Sequence, residues 1–134
     1  MKFDKDSIKL LKEQFDSIIN VEESENVEFW YARDLEIKLG YQRWENFIEV
    51  IKKAIIACKN SGFVVADHFR NVTKMVEVGS KAKREIADYM LTRYACYLIA
   101  QNGDSNKQEI AFAQTYFAVQ TRKQEITQEL RIYL

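Results

Sequence analysis

The stretch that decides the fold is residues 72–101, which read VTKMVEVGSKAKREIADYMLTRYACYLIAQ. Apolar and polar side chains alternate on both sides of the tetrapeptide GSKA (79–82). This alternation around a short glycine-containing turn is typical of a β-hairpin, which we predict over 72–90. The hydroxyl of Thr92 suits the N-cap of a helix that runs to Gln101. The stretch therefore predicts a hairpin followed directly by a helix.

Upstream of the hairpin, two helices joined by a short turn are predicted over 32–60. Apolar residues recur at helical spacing as far as Leu39, and Gly40 is placed to stop the first helix. The second helix is predicted over Trp44 to Asn60, and Gly62 is placed to end it. Two helices around a glycine-containing turn form a unit that is similar to a helix-turn-helix.

The remaining elements complete a mainly helical α+β domain. Residues 20–28 are predicted as an acidic loop, and the ring-rich run 27–32 as a strand. We expect about five helices on a small antiparallel sheet, which the strand containing Phe29 forms with the basic hairpin. The whole chain, 1–134, is predicted as a single domain, in which residues 1–20 are an accessory N-terminal helix and residues 107–134 a long C-terminal helix.

Length and composition restrict the class of protein. With 134 residues, 47% of them hydrophobic and 30% charged, the chain has the composition of a soluble globular domain and not of a disordered one. No apolar run approaches the roughly 20 residues of a membrane helix, and the N-terminus lacks an apolar signal core. We therefore expect a cytoplasmic protein without membrane contact. Cys58 and Cys96 fall in apolar helical contexts, where reduced buried thiols are expected.

The formal charge is zero, but it is unevenly distributed. Residues 1–29 carry four lysines and eight acidic side chains, whereas residues 30–102 carry twelve basic and eight acidic ones. Residues 103–134 carry four of each sign. A basic middle segment favours a polyanionic partner such as DNA, although a solvated surface can have the same composition.

Catalytic signals are weak. No phosphate-binding GxxxxGK[ST] or GxGxxG motif is present, and two cysteines with one histidine do not supply a zinc spacing. His68 follows Asp67, a pair that is found more often in a turn than in a proton-transfer site. We predict that the protein is not an enzyme and needs neither a metal nor another cofactor.

Basic side chains around the hairpin form the first predicted nucleic-acid-binding group. A hairpin with cations at its tip can lie against phosphates, as the wing of a winged helix does. The alternative is a solvated turn that happens to carry lysines. The residues of this group are Arg70, Lys74, Lys81, Lys83 and Arg84.

A second group lies on the helices. Arg93, Tyr97 and Gln101 share one stripe of the helix that follows the hairpin, and Arg and Gln side chains can read base edges. Arg33 and Arg43 flank the turn between the two earlier helices. An ordinary exposed helix face is the alternative for the stripe of Arg93, Tyr97 and Gln101.

The end of the chain predicts self-association. Apolar residues recur at helical spacing through its last part, and such a stripe must lie back on the domain, pair with another copy, or fray; we favour pairing. A two-fold pairing with a second copy would bury the stripe symmetrically. The stripe comprises Ile126, Leu130, Tyr133 and Leu134.

Three runs carry a resemblance to known proteins. FWYARDLEIKLGYQRWENFIEVIKKA (29–54), KMVEVGSKAKREIADYMLTRYACYLIAQNGD (74–104) and QTYFAVQTRKQE (114–125) resemble the bacterial DNA-damage-inducible protein D family. The order of elements is more distantly similar to the Bro-N domain of viral and phage antirepressor-like proteins. The resemblance implies a Bro-N-like, winged-helix-like fold with no catalytic motif. It implies binding or structural roles for the matched positions, which are Arg33, Gly40, Tyr41, Trp44, Lys81, Arg84, Arg93 and Gln101.

Two functions follow as hypotheses. The first is a regulatory domain of the SOS response to DNA damage that binds DNA through the basic hairpin and the helix behind it. The second is a protein-interaction domain that binds a recombination or repair protein, such as the RecA filament, without contacting DNA. The sequence pI of about 6.6 favours the second hypothesis, because many nucleic-acid-binding domains have a pI above about 9.

Overall fold

The computed structural model describes the backbone of residues 5–133 and the side chains of residues 6, 9–10, 12–119 and 126. This part of the chain forms six helices and four strands, which confirms the mainly helical α+β class. The additional helix is a single turn directly before the hairpin. In chain order the elements are α1 (Lys5–Asp16), β1 (Asn20–Glu22), β2 (Val27–Tyr31), α2 (Ala32–Lys38), α3 (Trp44–Asn60), α4 (Val65–His68), β3 (Phe69–Val78), β4 (Ala82–Leu91), α5 (Arg93–Gln101) and α6 (Gln108–Tyr133).

The sheet is antiparallel, with the strand order β1-β2-β4-β3. Strand β2 pairs with β4 only through Trp30 opposite Leu91 and Tyr31 opposite Met90. Strands β3 and β4 pair over their full ten-residue lengths. The hairpin therefore extends well beyond the part of the sheet that pairs with β2.

Two boundaries differ from the sequence prediction. The prediction of an acidic loop over 20–28 is wrong at both ends, because β1 pairs there with the start of β2. The hairpin strands are longer than predicted: they begin at Phe69 and end at Leu91, which are both buried. Phe69 and Leu91 lie opposite each other on the face of the hairpin that also carries Asn71 and Thr73, so this face enters the core at the base of the hairpin.

The predicted helix stops are confirmed. Gly40 has a φ of +79°, its N–H donates to the carbonyl of Ile37 (3.1 Å), and the N–H of Tyr41 donates to that of Glu36 (3.1 Å). This bond pair is the Schellman motif, which needs a residue in the left-handed region. The predicted N-cap of α5 is also present, since Thr92 Oγ1 accepts from the N–H of Ala95 (3.2 Å).

The core joins α1 and the first part of α6 to the sheet. Phe15 of α1 is buried, and its ring lies 5.2 Å from that of Tyr116 and 5.4 Å from that of Phe117, both on α6. The Trp30 indole donates to the carbonyl of Phe15 (3.3 Å). The N-terminal helix is therefore packed into the core. The largest buried side chains include Trp30, Phe15, Phe47, Phe117, Leu35 and Ile51.

Three further predictions concern the cysteines, membrane helices and the apolar stripe at the end of the chain. Cys58 and Cys96 are free and buried, as predicted. No helix within the described residues is long and apolar enough to cross a membrane. Ile126 is exposed, whereas the side chains of the other stripe residues, Leu130, Tyr133 and Leu134, lie outside the described residues.

Candidate nucleic-acid interface

Beyond Met90, the hairpin is a two-stranded ribbon. Eight residue pairs, from Asn71 opposite Tyr89 to Val78 opposite Ala82, lie past the last pairing with β2. At about 3.3 Å per residue the ribbon is roughly 25 Å long. No other strand of the described chain pairs with either outer edge of this ribbon.

The two faces of the ribbon differ in burial. On the inner face, Val72, Lys74, Val76 and Ile86 are partly buried and Asp88 is fully buried. The outer face continues the face that carries the buried Phe69 and Leu91 at the base of the hairpin, but along the ribbon it is almost entirely exposed. Its exposed residues are Asn71, Thr73, Met75, Glu77, Lys83, Glu85 and Ala87.

The predicted cations at the tip are all exposed. Lys81 lies in the turn, Lys83 is opposite Glu77, and Arg84 is opposite Val76. Lys83 and Arg84 therefore lie on opposite faces of the ribbon. Among the described residues, none of these three cations takes part in an ion pair. The exposed Arg70 is at the other end of the ribbon, on the same face as Arg84.

Lys74, in contrast, is held by an internal partner. Its ammonium lies 3.1 Å from Oδ2 of Asp88 and 3.9 Å from the centroid of the Tyr31 ring. The other carboxylate oxygen of Asp88 accepts from the N–H groups of Arg33 (3.0 Å) and Tyr89 (2.8 Å). Asp88 thus joins the hairpin to the start of α2.

Arg33 strengthens the same junction. Its Nε donates to the carbonyl of Ala87 (2.9 Å), and its guanidinium carbon lies 3.7 Å from the centroid of the Trp44 ring. One side chain therefore contacts β4 and α3 from its position on α2. Arg43 is different: it is exposed and lies 4.0 Å from the exposed Glu45.

Glu36, on the same helix as Arg33, has a carboxyl group with a raised pKa. Burial raises the pKa of this carboxyl, the guanidinium of Arg33 opposes the rise, and the charges of Glu45 and Asp88 add to it. Arg33 is thus the cation that opposes the rise in the pKa of Glu36.

The predicted stripe on α5 is divided in the structure. Arg93 is only 12% exposed, its guanidinium is 2.5 Å from the carboxylate of Glu28, and it lies 5.0 Å from the centroid of the Trp30 ring. Tyr97 is partly buried against the core, and Gln101 is exposed at the end of the helix. A base-reading role for Arg93 stays a prediction, and it requires the contact with Glu28 to open.

The side chain of His68 is held by contacts with neighbouring side chains of the fold. Its Nδ1 is 2.7 Å from Oγ1 of Thr92, and its ring packs edge-on against those of Phe63 and Tyr94. Burial lowers the pKa of the imidazole, and the charge of Asp67 opposes this shift. Among the described residues no cluster of three or more His, Cys, Asp or Glu side chains could hold a metal ion.

A model of the BRO family, N-terminal domain, matches residues 17–118. The chain belongs to this family. The matched segment includes the whole sheet, α2 to α5 and residues 108–118 of α6. It therefore contains the ribbon and the groups that hold it in place.

This Bro-N domain is also similar to a curated protein. It is 51% identical over 102 residues to DNA damage-inducible protein D of Escherichia coli (strain K12). The alignment covers 76% of this chain and 37% of that protein, so the chain spans well under half the length of its relative. No solved structure matches the chain.

Sequence reasoning missed the residues that fix the ribbon of this Bro-N domain. Asp88 is at an inward position of the hairpin alternation, and a carboxylate there was a readable sign of a buried ion pair. Glu28 lies 65 residues from Arg93 in the chain, so no local pattern could connect them. The exposed outer face was likewise not singled out, because most of its members are polar residues of the kind found on any solvated strand.

Proposed function

We propose that this Bro-N domain is a DNA-binding regulatory domain of the DNA-damage response, and that the tip of its hairpin contacts DNA phosphates. The observation that carries the proposal is the exposure of Lys81, Lys83 and Arg84 at the end of a protruding ribbon. Long cationic side chains without an internal partner are available to phosphate oxygens. Arg33 and Lys74 instead hold the ribbon in place.

The proposed role in the response to DNA damage is based on the similar protein of Escherichia coli. DNA damage-inducible protein D shares 51% of aligned residues with this chain, and its name places it in the response to DNA damage. We extend this setting to the present domain and propose that it acts in the cytoplasm as part of the SOS response. The proposed role is non-enzymatic, since binding alone can regulate other proteins at damaged DNA.

The test is a salt series with a charge-matched control. The triple variant Lys81→Ala, Lys83→Ala, Arg84→Ala removes the tip cations, and Lys52→Ala, Lys53→Ala, Lys59→Ala removes three exposed cations from α3. Fluorescence anisotropy with duplex and single-stranded DNA, from about 50 to 200 mM salt, gives Kd for each protein. Each lost phosphate contact reduces the slope of log Kd against log salt by about 0.7–0.9.

We expect the tip variant to bind all DNA sequences more weakly, with a slope reduced by about two to three. The α3 variant should keep the slope of the original chain, although both variants have lost three positive charges. Equal slopes for the tip variant and the original chain, with both folded, would show that the hairpin does not contact phosphates.

A second function is favoured by the mixed surface of the ribbon. Met75 is 58% exposed and Val78 is 49% exposed beside the carboxylate of Glu77, and the whole chain has no net charge. Such a surface suits a protein partner. In this alternative the domain binds a recombination or repair protein, such as the RecA filament, without touching DNA. Binding to the filament but to neither form of free DNA would favour this alternative.

A further inference from the structure

The outer face of the ribbon carries side chains that the fold itself does not use. Asn71, Thr73 and Met75 on β3 and Lys83 and Glu85 on β4 are exposed. None of the five makes a side-chain hydrogen bond or ion pair with another described residue. They point away from the face that Asp88 and Lys74 anchor, because the register places them on the opposite side.

The shape of the ribbon fits one groove of DNA. The major groove of B-DNA is about 12 Å wide and admits a two-stranded β-ribbon. Past Met90, neither edge is blocked by another strand of the described chain. Eight residue pairs at about 3.3 Å each would follow the groove for roughly seven base pairs of 3.4 Å.

The chemistry of the outer face fits base edges better than phosphates. An amide such as that of Asn71 can pair with adenine, and an ammonium such as that of Lys83 with guanine. The methyl groups of Thr73 and Met75 can contact the methyl group of thymine. Glu85 would be repelled by phosphates, but a carboxylate accepts a hydrogen bond from the amino group of cytosine. The face therefore holds groups for different base pairs.

We propose that this outer face enters the major groove of double-stranded DNA and reads base edges, while Lys81 and Arg84 contact phosphates at the rim of the groove. Lys83, which contacts phosphates on other sequences, reaches guanine in the preferred one. The inference rests on the proposed DNA-binding function and makes duplex DNA of a preferred sequence its ligand. The anchored inner face supports it, because Asp88 and Arg33 fix the ribbon relative to the helices.

The experiment begins with selection of duplexes from a random library by the 134-residue chain. Anisotropy then gives Kd for the selected duplex, for a scrambled duplex and for each single strand. We expect a preference for the selected over the scrambled duplex on the order of 10³-fold. Asn71→Ala should weaken binding to the selected duplex by about 5- to 150-fold and leave the scrambled duplex unaffected. Asn60→Ala, at the exposed end of α3, is the matched control and should change neither.

Modified bases identify the groove. Replacing guanine by 7-deazaguanine, or thymine by uracil, alters only the major-groove edge, and we expect at least one of these changes to weaken binding to the selected duplex. Duplex binding without sequence preference, or preferential binding to single strands, would overturn the inference and leave the DNA-binding function intact. The inference would also fail if the preference survived both the modified bases and Asn71→Ala. If the 134-residue chain itself bound neither duplex nor single-stranded DNA, the proposed DNA-binding function would be refuted.

Discussion

The buried carboxylate of Asp88 lies 3.1 Å from the ammonium of Lys74, and together they fix the root of the hairpin. The same carboxylate accepts from two backbone N–H groups, one of which belongs to Arg33 at the start of α2. The hairpin pairs with the rest of the sheet only at its base, so it needs a further connection of this kind to keep a fixed orientation relative to the helices. The ion pair thus helps to fix the position of the proposed DNA-binding tip relative to the rest of the domain.

The first prediction concerns this pair. Asp88→Ala should lower the free energy of unfolding by about 2–4 kcal/mol, because two N–H groups and Lys74 lose their acceptor. Lys74→Ala should have a smaller effect, about 1–3 kcal/mol, since the buried carboxylate loses its cation but keeps its two N–H donors. Urea unfolding measures the change in stability of both variants.

Glu85→Ala, which removes an exposed carboxylate from the same strand, serves as the control and should change stability by less than about 0.5 kcal/mol. A larger loss for Lys74→Ala than for Asp88→Ala would contradict this account of the anchor.

The second prediction concerns Arg93 and Glu28. A double-mutant cycle of Arg93→Ala and Glu28→Gln should give a coupling energy of about 1 kcal/mol, because the guanidinium is largely buried while the carboxylate is partly solvated. The exposed Arg43 and Glu45, whose side chains are 4.0 Å apart, form the control pair, and their coupling should be near zero. Equal coupling in the two cycles would mean that burial adds nothing to the contact between Arg93 and Glu28.

The third prediction is a pH dependence of stability that comes from His68. Burial places the pKa of its imidazole in the folded protein below the ordinary value of 6.5. The folded state therefore favours the neutral ring, so its contribution to stability is present above pH 6.5 and is lost as the pH falls towards the folded pKa. NMR can follow this imidazole without assignment, because the chain has one histidine.

The variant His68→Gln should show a smaller loss of stability than the original chain as the pH falls from about 6.5 towards 5. Carboxylates titrate in both proteins, so the difference between the two curves belongs to the histidine. An imidazole that titrates at or above pH 6.5 would contradict the assignment.

The fourth prediction is dimerisation through the end of α6. We propose that its apolar stripe pairs with that of a second copy, and the exposure of Ile126 is consistent with this. Light scattering should give a dimeric mass for the intact chain and a monomeric mass for a chain cut after Arg122. A monomer in both cases, over a wide concentration range, would reject the pairing.

Local signals predicted most of the elements. Helix α3 has the predicted bounds because an apolar stripe is followed by a glycine stop at Gly62. The hairpin and the cap at Thr92 followed from alternation and from a hydroxyl before a helix. Strand β1 was missed, because the three residues Asn20–Glu22 are too few and too polar to produce a strand signal.

The candidate site was less predictable than the fold. The sequence indicates that Lys74, Arg33 and Lys81 are cations, but not which of them are already paired inside the protein. Lys74 and Arg33 have partners because distant segments meet at the root of the hairpin, whereas Lys81 has none among the described residues. Pairing of this kind depends on tertiary contacts between residues as many as 54 positions apart.

The most direct test of the central claim is an NMR titration of the 15N-labelled chain with a short DNA duplex. Our account predicts that the largest shift changes occur at the amides of the ribbon, residues 71–89, and above all around the turn at 79–84. Amides of α1 and of the exposed face of α3 should stay unchanged. Shift changes that leave the ribbon unaffected and concentrate elsewhere, or no changes at saturating DNA, would contradict the claim that the hairpin binds DNA.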